Sequence, residues 1–309
     1  MSHKAEAPGK IILFGEHAVV YGRPALAVPV TQVKAAAEIS DSARKGIWID
    51  APGVNLNTEL NSLPSDHPLA AAIHSLLFSL GIDPFPSLCI NITSTIPVAS
   101  GLGSGTAVTV AMLRALSEHM GRTMADEEVN AIAFEIEKLH HGTPSGIDNT
   151  VVTYARPVYF VKGQPPGTFK VGKPFTIIIG DTGIPAPTRE SVGDVHRLWE
   201  ADRIKWEGVF DKAGEIARQA RGKIEGGELV DLGRLMDQNH ALLQEMTVSS
   251  SELDKMVLAA RYAGALGAKL SGGGRGGNMI ALLNPETQGS VAGALKDAGA
   301  KRTITTTVR

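Results

Sequence analysis

Residues 97–110, PVASGLGSGTAVTV, set Gly101, Gly103 and Gly105 between an extended stretch and a helix-like run. Glycine tolerates positive φ and leaves its backbone open to close approach, so glycines at alternate positions indicate a turn with something against it. A strand, a glycine-rich loop and a helix start present unpaired amides and the positive end of a helix dipole, which is an anion site. Phosphate is the natural occupant. The loop lacks the Lys-Ser/Thr ending of a P-loop, and its glycines are not spaced G-x-G-x-x-G, so neither of those phosphate patterns applies. Positive charge for a bound phosphate must come from elsewhere in the chain.

The segments KIILF, VTQVKAAAEIS, GIWIDA and SLCINITS, each bounded by Gly, Pro, Asp or Ser, read as strands. HPLAAAIHSLLFSLG has helical spacing and ends at Gly81, a residue suited to the left-handed position past a helix. TAVTVAMLRALSEHMG lines up Val108, Met112, Ala115 and Leu116 and stops at Gly121, a helix that begins inside the glycine loop. TMADEEVNAIAFEIEKLHHG opens with Thr123 ahead of Asp126, a capping-box-like start, and runs as a second helix to Gly142. IDNTVVTYARPVYFVKG reads as paired strands. The Pro- and Gly-rich GQPPGTFKVGKP then places a boundary between domains 1–171 and 172–309. PFTIIIGDTG reads as a buried strand, residues 188–265 as mostly helical, KLSGGGRGGNMIALL as a glycine turn and strand, and KRTITTTVR as an edge strand. The class is α/β, in an α+β arrangement.

Lys plus Arg number 30 against 32 for Asp plus Glu, so the net charge of -2 argues against nucleic acid or a membrane surface as the main partner. No apolar run approaches the ~18 residues of a membrane span, and the opening MSHKAEAPGK lacks a signal-peptide core, which makes the cytoplasm the default expectation. The single cysteine, Cys89, reads as a small buried hydrophobe.

Chemistry-bearing residues gather in three stretches. In APGKIILFGEHAVVYG, Lys10 starts a strand, and Glu16 and His17 follow in a turn; a lone lysine is usually a surface residue, but this one gains weight from its company. In EIEKLHHGTPSGIDNT, Glu137 sits in the last turn of its helix, where a carboxylate opposes the dipole, and Asp148 follows after a Pro and two glycines. The two could serve one Mg²⁺ and one hydroxyl, since Mg²⁺ with phosphate takes only one or two protein carboxylates. The alternative is an exposed helix end and an Asx-turn. His140 and His141 point about 100° apart, with no third ligand spaced beside them, and are not read as a metal site. The third stretch, SGGGRGGN at 271–278, either packs its backbone against a nucleotide or the first glycine loop, or is a flexible surface loop.

PGKIILFGEHAVVYG, PVASGLGSGTAV and KLSGGGRGGNMIAL, in this order, resemble the three motifs of the GHMP small-molecule kinases over nearly the full length. Within that superfamily, HGTPSGIDNTVVTY is similar to the signature of the mevalonate kinases. The resemblance implies a two-domain kinase with a ribosomal-S5-like N-terminal and a ferredoxin-like C-terminal part, using ATP and Mg²⁺ to phosphorylate the primary hydroxyl of (R)-mevalonate. It implies that Lys10 polarises that hydroxyl or neutralises charge, that Asp148 is the general base, and that Glu137 and Ser104 bind the metal. Glu16, His17, Asp148 and Thr188 would meet the substrate. Pro97, Ser100, Gly101, Leu102, Gly103, Ser104, Gly105 and Thr106 would surround the ATP phosphates. A homodimer is a family expectation. The alternatives are a related kinase for homoserine, a sugar or phosphomevalonate, or a nucleotide-binding regulator without turnover.

Two motifs depart from the family pattern. Where relatives read G-L-G-S-S-A, Gly105 replaces a serine whose hydroxyl helps ligate Mg²⁺, and Thr106 replaces alanine. Ser104, Thr106 or water is expected to substitute. Where relatives read T-G-A-G-G-G-G, this chain has Ser271, Gly273 and Arg275, and Arg275 either adds a cation near the phosphates or faces solvent.

Overall fold

A computed structural model describes residues 2–98, 100–141 and 144–309, except for the side chains of 140 and 141. Among the described residues the first half runs β1 (Ser2–Phe14), β2 (Ala25–Asp41), β3 (Ile47–Ala51), β4 (Leu56–Glu59), α1 (Pro68–Ser79), β5 (Leu88–Ser94), α2 (Ser104–His119), α3 (Asp126–His141), α4 (Ile147–Tyr154), β6 (Val158–Phe160) and β7 (Gly167–Thr168). The second half runs β8 (Phe175–Asp181), α5 (Thr188–Ala201), α6 (Arg203–Gly226), α7 (Leu229–Glu245), α8 (Ser251–Tyr262), β9 (Gly267–Ser271), β10 (Asn278–Leu282), α9 (Gln288–Asp297) and β11 (Arg302–Val308). Two compact units form, one from residues 2–9, 33–98 and 103–155, the other from 10–32, 100–102 and 156–309. The chain passes from one to the other within β1, in the middle of the long β2, inside the glycine loop, and just after α4.

In the first unit, β5 lies between β3, in parallel, and the second half of β2, antiparallel from Ala35↔Ser94 to Asp41↔Leu88. Alternation decides the faces: Ala35, Ala37 and Ile39 of β2 and Leu88, Ile90 and Ile92 of β5 are buried, while Glu38 and Asn91 are exposed. Cys89, between two of these buried positions, is half-buried rather than buried. Helix α2 packs on β5 and on α1, α3 and α4. Gly81 (φ 67°) and Gly121 (φ 78°) end α1 and α2 in the left-handed conformation, with Ile82 and Arg122 amides donating back to Leu77 and Ser117.

Two local expectations are corrected. IDNTVVTY is helix α4, not a strand. Gly146 (φ 92°) starts it, Thr150 Oγ1 donates to the Gly146 carbonyl at 2.7 Å, and the β-branched Val151 and Val152 that signalled a strand are fully buried instead. Thr123 does not cap α3. The amide of Ala125 donates to the Glu128 carboxylate at 3.0 Å, so half a capping box forms two residues later. Gly142, expected just past this helix, lies outside the described residues.

In the second unit the sheet order is β11-β8-β10-β9, antiparallel throughout. The apolar FTIIIGD becomes a central strand, and KRTITTTVR is an edge. Trp206, Phe210, Leu243, Met256 and Val257 from the helices pack on this sheet through Ile178, Leu270 and Met279. β6 and β7 extend from the first half of β2 (Ala25↔Phe160). Helix α7 meets β9 where Gly233 faces Gly267: a Cβ on Gly233 would lie 2.1 Å from the Leu266 carbonyl. Gly233→Ala should therefore lower stability by about 1–3 kcal/mol in urea melts, as overpacking does. Gly222→Ala, on α6 with nothing within 4 Å of its Cβ, should be neutral or gain ~1 kcal/mol.

Candidate active site

The first unit holds Glu137 and Asp148. Gly103, with φ 75° and no side-chain cap, precedes α2 and leaves the first amides of that helix for an outside acceptor. Neighbouring helical residues diverge by about 100°. Gly105 is therefore exposed, with nothing within 4 Å of a Cβ placed there, while Thr106 turns inward and is buried. Thr106 Oγ1 donates to Glu137 Oε1 at 2.5 Å. Glu137 is 5% exposed, so it is not the solvated helix end that the alternative reading of the sequence allowed. Asp148 is half-buried in the first turn of α4, where the helix dipole favours an acidic side chain. Next to it, Asn149 Nδ2 donates to Asn130 Oδ1 at 2.7 Å and fixes α4 on α3. No cluster of three or more His, Cys, Asp or Glu side chains able to hold a metal occurs among the described residues. The hard oxygens of Glu137 and Ser104 nonetheless suit Mg²⁺, which keeps waters and phosphate oxygens as its other ligands. The side chains of His140 and His141 lie outside the described residues.

The second unit holds Lys10, Glu16, His17 and Thr188. Lys10 is buried, and its amide donates to the Leu102 carbonyl at 2.9 Å, setting its strand beside residues 100–102. Asn278 Nδ2 donates to the Ser100 carbonyl, so a side chain at the end of 271–278 reaches the glycine loop at 100–102. Gly15 (φ 90°) turns the chain at Glu16 and His17 (φ 61°), both buried. Glu16 Oε1 accepts from Lys269 Nζ in an ion pair that is 0% and 1% exposed. His17 Nε2 donates to the Gly273 carbonyl at 3.1 Å, which leaves Nδ1 as a bare acceptor. Thr188, exposed at the start of α5, crowds Gly273, where a Cβ would lie 2.6 Å from its Oγ1. Gly274 (φ 78°) admits no side chain, its Cβ position being 1.9 Å from the Val248 carbonyl. Arg275 pairs with Asp194. Its charge is therefore largely spent within this unit.

Burial dominates the titrations. It raises the Glu16 carboxyl, opposed by Lys269, and it pushes His17 down to about 4. His240 of α7 is likewise pushed down to about 4 by burial, although Asp254 lies at 3.1 Å. A neutral folded histidine loses stability when the unfolded chain binds protons first. The contribution of His17 and His240 should therefore be complete above pH ~6.5 and lost as pH falls toward 4. Thermal melts across that window should show the decline, with a shallower slope in His240→Asn.

Residues 68–156 match the family described as GHMP kinases N terminal domain, and residues 220–301 match GHMP kinases C terminal. The mevalonate kinase of Pyrococcus abyssi is 38% identical over 320 residues, covering 97% of this chain and 94% of that protein. The chain belongs to the mevalonate kinase family. Among solved structures, the mevalonate kinase of L. major, in complex with R-mevalonate, superposes with a TM-score of 0.86 at 32% identity, covering 99% of this chain and 95% of that one. The Methanococcus jannaschii mevalonate kinase gives 0.84 at 26%, covering 99% and 97%. The fold is thus the two-domain GHMP kinase fold, and the chain is a kinase. Two residues escaped the sequence reading. Lys269 could have been noticed as a lone charge inside a short strand, whereas Asn278 carried no signal beyond its place after the glycines.

Proposed function

We propose that this member of the family transfers the γ-phosphoryl group of ATP to the primary hydroxyl of (R)-mevalonate, giving 5-phosphomevalonate and ADP. The hydroxyl oxygen bonds to the γ-phosphorus as the β–γ bridge breaks. Asp148 takes the hydroxyl proton, Lys10 holds the oxygen in line, and the loop of Pro97 and Ser100 to Thr106 cradles the phosphates through its amides. Glu16, His17 and Thr188 form the wall for the acceptor. Mg²⁺, held by Glu137 with Ser104, would neutralise charge on the transferring group.

One observation carries the reading: a buried carboxylate, Glu137, hydrogen-bonded to Thr106 in the first turn of the helix whose N-terminus would receive phosphate. A carboxylate near a bare phosphate repels it, so the arrangement makes sense only with a cation between them. That favours working metal–nucleotide chemistry over a regulator that merely binds nucleotide. The two family segments end at 156 and begin at 220, a gap that contains the proposed division at 171/172. No helix among the described residues is long and apolar enough to cross a membrane, and a cytoplasmic homodimer remains part of this proposal. The test is ADP release, by a coupled assay, across mevalonate, phosphomevalonate, homoserine and galactose. Mevalonate should dominate; nucleotide binding without turnover would support the regulator instead.

A further inference from the structure

All five residues of β9 are buried, and Lys269 is the charged one among them. Its Nζ donates to Glu16 Oε1 and, at 2.6 Å, to the Leu270 carbonyl. A buried ion pair is a poor stabiliser, because desolvation offsets the attraction and apolar replacements of both partners are often neutral or better. Its surroundings indicate another use. Ser271 Oγ donates to the Ile12 carbonyl at 2.7 Å, His17 to Gly273, and the Gly272 amide supports the Glu16 carboxylate. These contacts and the ion pair join residues 12–17 to 269–273. Gly15 is fixed from behind, since a Cβ there would lie 2.4 Å from the Pro24 carbonyl. Within this clamp, Glu16 Oε2 and His17 Nδ1 are buried without a partner among the described residues.

We infer that Lys269 is a positioning residue for the phosphoryl acceptor: by occupying Glu16 Oε1 it keeps Glu16 a carboxylate and presents Oε2 to a substrate hydroxyl. The inference rests on the kinase reading. Without Lys269, only the backbone amides of Glu16 and Gly272 oppose the burial that drives Glu16 toward its neutral form, and a protonated Glu16 would no longer be a dedicated acceptor. The other titratable groups around the pair are His17, His240 with Asp254, and Arg275 with Asp194. Both histidines are pushed down to about 4 by burial, so neither titrates above neutrality.

The test compares the parent, Lys269→Met, Glu16→Gln and the double variant by kcat/KM for mevalonate from pH 6 to 9.5. Lys269→Met should lose about tenfold or more at pH 7, because burial then drives Glu16 toward its neutral form. That loss should shrink as pH rises, whereas the loss in Glu16→Gln should stay flat. In the Glu16→Gln background, Lys269→Met should cost less than about twofold, as expected for a residue acting through its partner. Should Lys269→Met not fold, the double variant, uncharged on both sides, carries the comparison. An equal cost of Lys269→Met in both backgrounds, or a deficit independent of pH, would overturn the inference. The parent's own mevalonate-dependent ADP release decides the kinase reading separately.

Discussion

Asp148→Asn, purified and folded, is expected to turn over mevalonate about 10² to 10⁴-fold more slowly than the parent, with KM for mevalonate changed far less. Asparagine keeps the size of the side chain, and losing the charge in the first turn of α4 costs only about 0.3–1 kcal/mol, so the melting temperature should change little. What it cannot do is take a proton. The lower end of the range applies if phosphoryl transfer is loose and the hydroxyl is still mostly protonated at the transition state, the upper end if proton removal is well advanced. Near-parental turnover in a folded variant would remove Asp148 from the role of base.

Thr106→Ala should be the second most damaging change, lowering kcat/KM for metal–ATP about 10- to 100-fold. A hydrogen bond to a charged group contributes about 1.5–3 kcal/mol, and each ~1.4 kcal/mol is a factor of ten. The argument is geometric. Gly105 faces out and Thr106 faces in, so Thr106 does not restore the missing hydroxyl at position 105; it holds, through Oε1, the Glu137 carboxylate that the proposal assigns to the cation. Thr106→Ser should retain most activity, since it keeps the donor. Gly105→Ser in the Thr106→Ala background should recover part of the loss, because space at 105 is open. Titration calorimetry of ATP with and without Mg²⁺ gives a readout free of turnover. A metal-dependent affinity in Thr106→Ala equal to the parent's would rule out this role for Thr106.

Much of this site was legible before any coordinates, because glycine, lysine and carboxylate chemistry is local. The turn at 101–105, the strand carrying Lys10 and the helix carrying Glu137 each announce themselves within a dozen residues. Errors arose where tertiary burial overrode propensity: Val151 and Val152 favour strands in isolation, yet α4 buries both in a helix whose start is set by Gly146. Partners distant in sequence were invisible for a related reason. Nothing near Glu16 in sequence points to Lys269, 253 positions away, or ties Ser100 to Asn278. Even Thr106, singled out as a departure, left three substitutes open until its hydroxyl was seen on Glu137.

The most direct test of the central claim is the product itself. Parent protein incubated with ATP, Mg²⁺ and (R)-mevalonate should give, by ³¹P NMR, one new phosphomonoester signal coupled to the C5 methylene protons, appearing in step with ADP. Phosphate on another oxygen, or ATP consumption without a phosphomonoester, would contradict it.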